Sequence, residues 1–489
     1  MYQDQTLYHY LYQALVLQIK SGGFLQQRTL PTQKMLCQQY NVGITTVRKV
    51  MKMLDEEGYI QTALGQPAIV TYTAPIEDYI SVLAGRKEEV RDAFEGLGFL
   101  LPHLYREASK HCSETEVSLM QQAIDEINEN MDIGSLYHQT NLFFTTLIQV
   151  LNNPLILDLE LDSENYLHIP FIPFQNLEDP FYRTADNVRN WLSNINDYIL
   201  NQDRDTFYHI VFNTYQNSNK RVMAYFQALE HHTSSMVPPD EKDVYWFHVK
   251  ERSELYAHLA MLILRRIVKG EFTDQKYLPS IPKIMAEYGV MKETASRSVA
   301  LLNTLGITRT INKKGTVIIS DTPRINITRA DFHDPVIKKR LLYCLDALQF
   351  MALSIDSGIP FIPIEKKELV KDIKYYLKTM PDSRISPMMV QLLMTFIIHS
   401  VPTHSLKNIY RQVNELLVWG YYLEAVDKKL YPNSKKTASA MHELITALEA
   451  EDEQRIPNAL KQAFLQIYRD SYTLIKRLPY DFGPLPIYL

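Results

Sequence analysis

Glycine is scarce in this chain, at 16 of 489 residues, and none of it forms a phosphate-cradling loop. Cysteine is scarcer still. Cys37, Cys112 and Cys344 show no CxxC spacing and no even count, and fit a reducing cytosol with buried thiols better than a disulfide framework or a zinc site. Long apolar runs are missing too. Stretches such as 259–264 fall far short of a membrane span. The first residues lack a basic segment followed by an apolar one, so no signal peptide is expected. There is no surplus of positive charge: the net charge is −5, so any nucleic-acid contact must be local. Nucleophile elbows and clusters of metal ligands are also absent, and an enzyme is not expected. What is present is 46% hydrophobic and 22% charged sequence with 31 Tyr, long enough for several ordinary domains. The expectation is a cytoplasmic, multidomain, globular protein.

The chain carries one pattern twice. Residues 30–59, LPTQKMLCQQYNVGITTVRKVMKMLDEEGY, predict a helix, a tight turn and a second helix. A shift of 248 positions carries Leu30, Pro31, Tyr40, Val42, Thr46, Leu54 and Gly58 onto Leu278, Pro279, Tyr288, Val290, Thr294, Leu302 and Gly306. Before each copy lies an amphipathic helix, with Leu7, Leu11, Leu15 and Ile19 in the first and Leu255, Leu259, Ile263 and Ile267 in the second. After each copy, residues 59–72 and 308–320 predict a small β-hairpin. Helix, helix–turn–helix and hairpin make a winged helix.

Between and after the copies the patterning is helical, over 86–108, 114–130, 134–151, 184–201 and 204–229, and again over 334–354, 365–379, 387–399, 406–427, 436–450 and 452–477. Breaks are expected at Asn153-Pro154 and across 168–182. Residues 233–243 are polar with paired prolines and predict a linker, while the apolar C-terminal stretch is expected to dock on a surface. The fold class is therefore mainly α: two winged helix–turn–helix domains (1–74 and 249–321), each followed by an all-α helical-bundle domain (75–232 and 322–489), with 233–248 joining the halves.

Leu30-Pro31-Thr32-Gln33-Lys34-Met35-Leu36, then Val42 to Arg48, then Gly58-Tyr59-Ile60, resemble the DNA-binding domain of the GntR family of bacterial transcription regulators. The second copy follows the same pattern with Leu278-Pro279-Ser280 and Thr294-Ala295-Ser296. Arg91-x-x-Phe94-Glu95 and Asn153-Pro154 resemble the helical effector domain of that family's fatty-acid-regulator subgroup. The resemblance implies a DNA-binding transcription regulator, repressor or activator, that responds to a small-molecule effector. Many members of that subgroup hold a metal through one Asp and three His. Here the matching positions carry Thr140 and Phe144, with Leu192 and Thr214 near the later two. In the second half Met394 stands where Phe144 does, and His442 lies one residue from a ligand position without companions. A metal needs three or four convergent ligands, so no metal and no cofactor are expected.

Recognition helices present their N-terminal halves to the major groove while phosphate contacts hold the register. The resemblance implies DNA contacts from Lys34, Thr45, Thr46, Arg48, Lys49 and Lys52 in the first copy, with Arg48 placed for a bidentate guanine contact. In the second copy it implies Ser280, Lys283, Lys292, Thr294 and Arg297, with Lys313 and Lys314 at the wing tip. The copies depart from the family pattern differently: Ile44 and Pro282 each replace an Arg, Ser296 stands opposite Arg48, and the first wing tip, Gly65-Gln66-Pro67, has no charge. Two unequal reading heads are expected, acting on double-stranded DNA as an internal pseudo-dimer or a homodimer. Residues of the Tyr and Phe clusters, Phe143, Phe144, Tyr166, Phe171, Phe174, Phe181 and Tyr182, are expected in the core, some of them lining an effector cavity. The competing expectation is a ligand- or protein-binding scaffold whose heads no longer bind DNA.

Overall fold

A computed structural model describes residues 7–489 apart from 26–27, 64, 132, 175–178, 180–183, 233–254, 269–270, 273–275, 305–306, 320–334, 357, 361–365, 380–386 and 426–434. The linker expected over 233–248, and Phe181 and Tyr182, lie outside the described residues. The fold is mainly helical, with two small antiparallel hairpins. The chain divides into two compact units. The first is Met1–Lys250 with Ser357–Ile359 and Pro402–Ile409, and the second comprises the remaining residues.

The first unit opens with α1 (Leu7–Lys20), α2 (Gln33–Tyr40) and α3 (Ile44–Glu56), then β1 (Ile60–Gln61) and β2 (Ile69–Val70). Leu11, Leu15 and Ile19 of α1 meet Val47, Val50, Met51 and Leu54 of α3 in one buried cluster. Local chemistry sets each boundary. The Thr32 hydroxyl accepts from the Met35 N–H at 3.3 Å and starts α2, while Asn41, at φ 47°, ends it in the left-handed region that Asn tolerates. The Asp55 carboxylate accepts from the Thr62 N–H (3.3 Å) and hydroxyl (2.8 Å), tying the wing to the end of α3. A third extended segment completes the winged helix, with Leu30 N–H donating to Ala68 O and Val70 N–H to Arg28 O.

Seven helices follow: α4 (Ile76–Gly85), α5 (Lys87–Ser109), α6 (Glu114–Asp125), α7 (Ile133–Gln149), α8 (Pro154–Leu167), α9 (Ala185–Leu200) and α10 (Arg204–Glu230). The long α5 and α10 pack against each other, and α8 lies against α2, α5 and α7. Helices α4 and α8 were not anticipated. Asn153-Pro154 does mark a boundary, but as a start: the Asn153 side chain accepts from the Leu155 and Ile156 N–H groups, with Pro154 in the first turn. Residues 155–162, LILDLELD, alternate apolar and acidic like a strand, because α8 is buried on more than one side.

The second unit carries α11 (Leu255–Val268), α12 (Ile281–Tyr288), α13 (Lys292–Thr304), β3 (Thr308–Ile311) and β4 (Gly315–Ile318). Its backbone hydrogen bonds repeat those of the first unit at the same offset of 248. Leu278 bonds to Thr316 as Leu30 does to Ala68, Ile318 to Lys276 as Val70 to Arg28, and Val290 to Met285 as Val42 to Cys37. Gly289, at φ 65°, takes the left-handed place of Asn41. Then come α14 (Pro335–Ser354), α15 (Lys366–Thr379), α16 (Pro387–Ser400), α17 (His404–Leu417), a 3-10 segment (Val418–Ala425), α18 (Lys435–Glu449) and α19 (Arg455–Arg477). The single helix expected over 406–427 is thus two elements. The tail is docked: Gln349 and Tyr468 donate to Ile487 O, and Arg469 to Leu489 O.

Gly58 follows α3 at φ +78°, with no atom within 4 Å of where a Cβ would stand. Gly58→Ala therefore introduces backbone strain without a clash. It should lower the local opening free energy of α3, read by amide exchange, by about 1 kcal/mol, and Gly58→Asn should recover most of that loss.

Candidate functional site

The cations of the first copy sort by where α3 points them. Val47, Val50, Met51 and Leu54 occupy the buried side, which leaves Thr45, Arg48, Lys49 and Lys52 exposed at a spacing that shares the opposite face. Arg48 has no partner among the described residues. Lys49 does: its ammonium lies 3.1 Å from the centroid of the Tyr8 ring on α1. Lys52 pairs loosely with Glu56 at 3.4 Å, both largely exposed. Lys34 is exposed on α2, and Thr46 is half-buried beside the turn. Asp55, Glu56 and Glu57 close α3, so positive charge is confined to its N-terminal two-thirds.

The second copy differs in its surface chemistry. Arg297 stacks on Tyr256 at 4.0 Å, the same arrangement as Lys49 on Tyr8, displaced by 248 in both members. Ser280, Lys283 and Lys292 are exposed and Thr294 is half-buried. Arg266 is bound within the unit, to Glu271 at 2.7 Å, Glu287 at 2.6 Å and the Tyr288 hydroxyl at 2.7 Å. Those bonds, that to Tyr288 first, hold its guanidinium pKa above the usual value. Lys313, at φ 61°, and Lys314 stand exposed at the β3–β4 tip.

Residue-type reasoning overlooked several exposed groups near these faces. Ile44 is 39% exposed and Met291 77% exposed, one at the start of each second helix. Apolar groups there are chemically suited to a thymine methyl. The replacement of Arg by Ile44 had registered only as a lost contact. Glu293 is exposed where the first copy has Thr45, and brings an acceptor rather than a donor to that place.

The turn of the first copy is anchored to α8. The Asn41 side-chain amide donates to Asp158 at 2.8 Å, and that of Asn165 donates to Gln39 O at 2.8 Å. Asp162 lies buried beside Tyr10 and Tyr40, whose rings meet edge to face at 6.3 Å. Burial first, and Asp162 second, push the pKa of both hydroxyls well up.

Behind α8 the helices line a partly open cavity of ≈ 120 Å³. Thr140, Phe144 and Thr214, which stand at or near the metal positions of the resembled subgroup, line it, as do Trp191, Tyr215 and Glu164. Leu192 is buried outside that lining, and exposed His442 bonds its own helix at Ala438 O, 2.7 Å away. Among the described residues no three His, Cys, Asp or Glu side chains converge as metal ligands would.

Residues 7–70, the three helices and the wing, match the family model for bacterial regulatory proteins of the gntR family. The first head is a GntR-family domain. Beyond this GntR head the similarities are remote. The HTH-type transcriptional repressor NanR of Salmonella newport is 22% identical over 171 residues, covering 33% of this chain and 65% of the repressor. Among solved structures, a GntR family member from Pseudomonas syringae is 14% identical, covering 45% of this chain and 86% of that one, with TM-score 0.24. E. coli McbR/YncC is also 14% identical, covering 46% and 98%, with TM-score 0.26.

Replacing Asp158 with Ala takes away the acceptor that holds the GntR head's turn. The change should cost about 1 kcal/mol and speed amide exchange at Asn41 and Val42 while leaving helix content unchanged. Unaltered exchange there would show that the turn is held by other contacts.

Proposed function

We propose that the chain is a cytoplasmic, sequence-specific transcription regulator with two unequal winged-helix heads, 1–74 and 249–321, controlled by a small molecule bound in a helical domain. The exposed face of Thr45, Arg48 and Lys52 on α3 of a GntR-family domain carries this reading. The second head is supported by α11–α13 and β3–β4, with hydrogen bonds at a constant offset from those of the first. The helical domains are proposed to span 75–232 and 322–489, and the cavity behind α8 supports small-molecule control.

Two heads on one chain do the work of a dimer. Covalent linkage raises the local concentration of the second head once the first is bound and permits an asymmetric operator. Arg48, exposed on α3, would read guanine from the first head, while Lys313 and Lys314 would grip phosphate from the second. Lys34, Thr46, Lys49, Ser280, Lys283, Lys292, Thr294 and Arg297 would position the backbone. A scaffold that has lost DNA binding is the second reading, favoured by Glu293 in the first turn of α13.

Selection of bound duplexes from a random pool tests the proposal. The expected result is two dissimilar half-sites at fixed spacing. Arg48→Ala should weaken the selected duplex by about 1–3 kcal/mol and relax preference at one base pair. The double change Lys313→Ala with Lys314→Ala should weaken all duplexes alike and flatten the salt dependence by about two units of slope. A scaffold would show no selected sequence and no response to Arg48→Ala.

A further inference from the structure

The cavity behind α8 has an electrostatic sign. Its wall is aromatic: Phe144 lies 4.6 Å from Tyr105 and 5.7 Å from Trp191, ring centre to ring centre, with Tyr137 and Tyr215 also lining it. Among the described lining residues there is no Lys, Arg or His, and the charged side chain is that of Glu164. Behind the wall a second carboxyl, Glu160, is fully buried and accepts from the Tyr105 hydroxyl at 2.6 Å. Its other oxygen has no partner. Burial first, and Glu164 second, raise the Glu160 pKa above the ordinary carboxylate value. An anion entering this space would lose its water and meet ring faces and a carboxylate, with no cation among the described lining residues to receive it. A cation would meet the negative faces of the rings together with Glu164.

Helix geometry links this wall to the GntR head. Taking about 100° per residue, Asp158, Asp162 and Asn165 fall within one narrow sector of α8 and face Asn41, Tyr10 and Gln39. Glu160, Ser163, Glu164 and Leu167 fall in the opposite sector, the last three lining the cavity. A group that presses on one side of this helix moves the other, because α8 is a rigid cylinder with polar contacts on both faces.

We propose that the cavity takes a small organic ammonium ion with an apolar body, bound by Glu164 and the surrounding rings, and that α8 conveys its binding to the turn of the GntR head. The proposal rests on the reading of this cavity as an effector site. The cavity measures ≈ 120 Å³ and is partly open to solvent, which limits the ligand to a compact molecule without requiring that it be wholly enclosed.

Calorimetry on the full chain without DNA, using benzylammonium, benzyl alcohol and benzoate as probes of one shape and three charges, tests the ligand class. Benzylammonium should bind about tenfold or more tighter than benzyl alcohol, and benzoate should not bind. Glu164→Gln should abolish the preference for benzylammonium and leave benzyl alcohol unchanged. Trp191→Leu should weaken both, which places them in this cavity. Benzoate binding as well as benzylammonium, a preference that survives Glu164→Gln, or no heat from benzylammonium at about 10 mM with a folded chain would each overturn the assignment. Amide exchange at Asn41 and Val42 tests the second part. It should change when benzylammonium is added to the unmodified chain and stay constant in Asp158→Ala; ligand binding without any change at the turn would overturn the coupling. Because no DNA enters these measurements, failure to select an operator would sink the regulator reading and leave this result standing.

Discussion

Three buried carboxyls on α8 hold the first unit together and constrain everything around it. Asp158, Glu160 and Asp162 are 4%, 0% and 0% exposed. A buried carboxyl costs several kcal/mol unless it is protonated or hydrogen-bonded. Each of these finds its answer on a different element: Asp158 in Asn41, Glu160 in Tyr105 and Asp162 in Tyr10. A one-residue rotation of α8, about 100°, would turn all three away from their partners. Apolar packing alone would tolerate several registers, whereas this polar set tolerates one. The winged helix is therefore fixed to α8 through its turn.

That arrangement also explains which parts of the molecule were legible beforehand. The winged helix was readable because its determinants are local: a Leu and Ile stripe on α1, Val47 to Leu54 on α3, Thr32 before α2 and Gly58 after α3. Thr45, Arg48 and Lys52, exposed on α3, were named from the family resemblance along with half-buried Thr46, and periodicity did not separate them. What α8 does was not readable. Its sequence alternates apolar and acidic residues, and its partners are distant, with Asn41 separated from Asp158 by 117 positions and Tyr105 from Glu160 by 55. The fate of individual cations was hidden for the same reason. Whether Lys49 extends into solvent or lies on Tyr8 depends on the rotation of α3 against α1, which a repeat pattern leaves open. Matching the subgroup's metal positions to Thr140, Phe144 and Thr214 did locate part of the cavity wall, although the carboxyls beside it went unnoticed.

The two copies divide their features into a retained set and an exchanged set. Retained are the groups that hold each one up: backbone bonds at a constant offset, a left-handed residue ending the helix before the turn, and a cation stacked on an aromatic ring of the preceding helix. Even the wing tips keep a left-handed residue in the same place, Gly65 and Lys313. Exchanged are the groups that face outward. Thr45, Arg48 and Lys52 give way to Glu293, Ser296 and Ala300, while uncharged Gln66 gives way to Lys314. Loss of function alone would erode the outward charge of a copy without replacing it. Here the second copy lacks counterparts of Arg48 and Lys52 on its helix but carries Lys292 in place of Ile44, and its wing carries Lys314 in place of Gln66. The helix of a winged domain meets base edges, where geometry decides sequence, and a basic wing meets phosphate, where affinity is insensitive to sequence. On the proposed regulator reading, such a division would separate selection from grip, one copy supplying most of each.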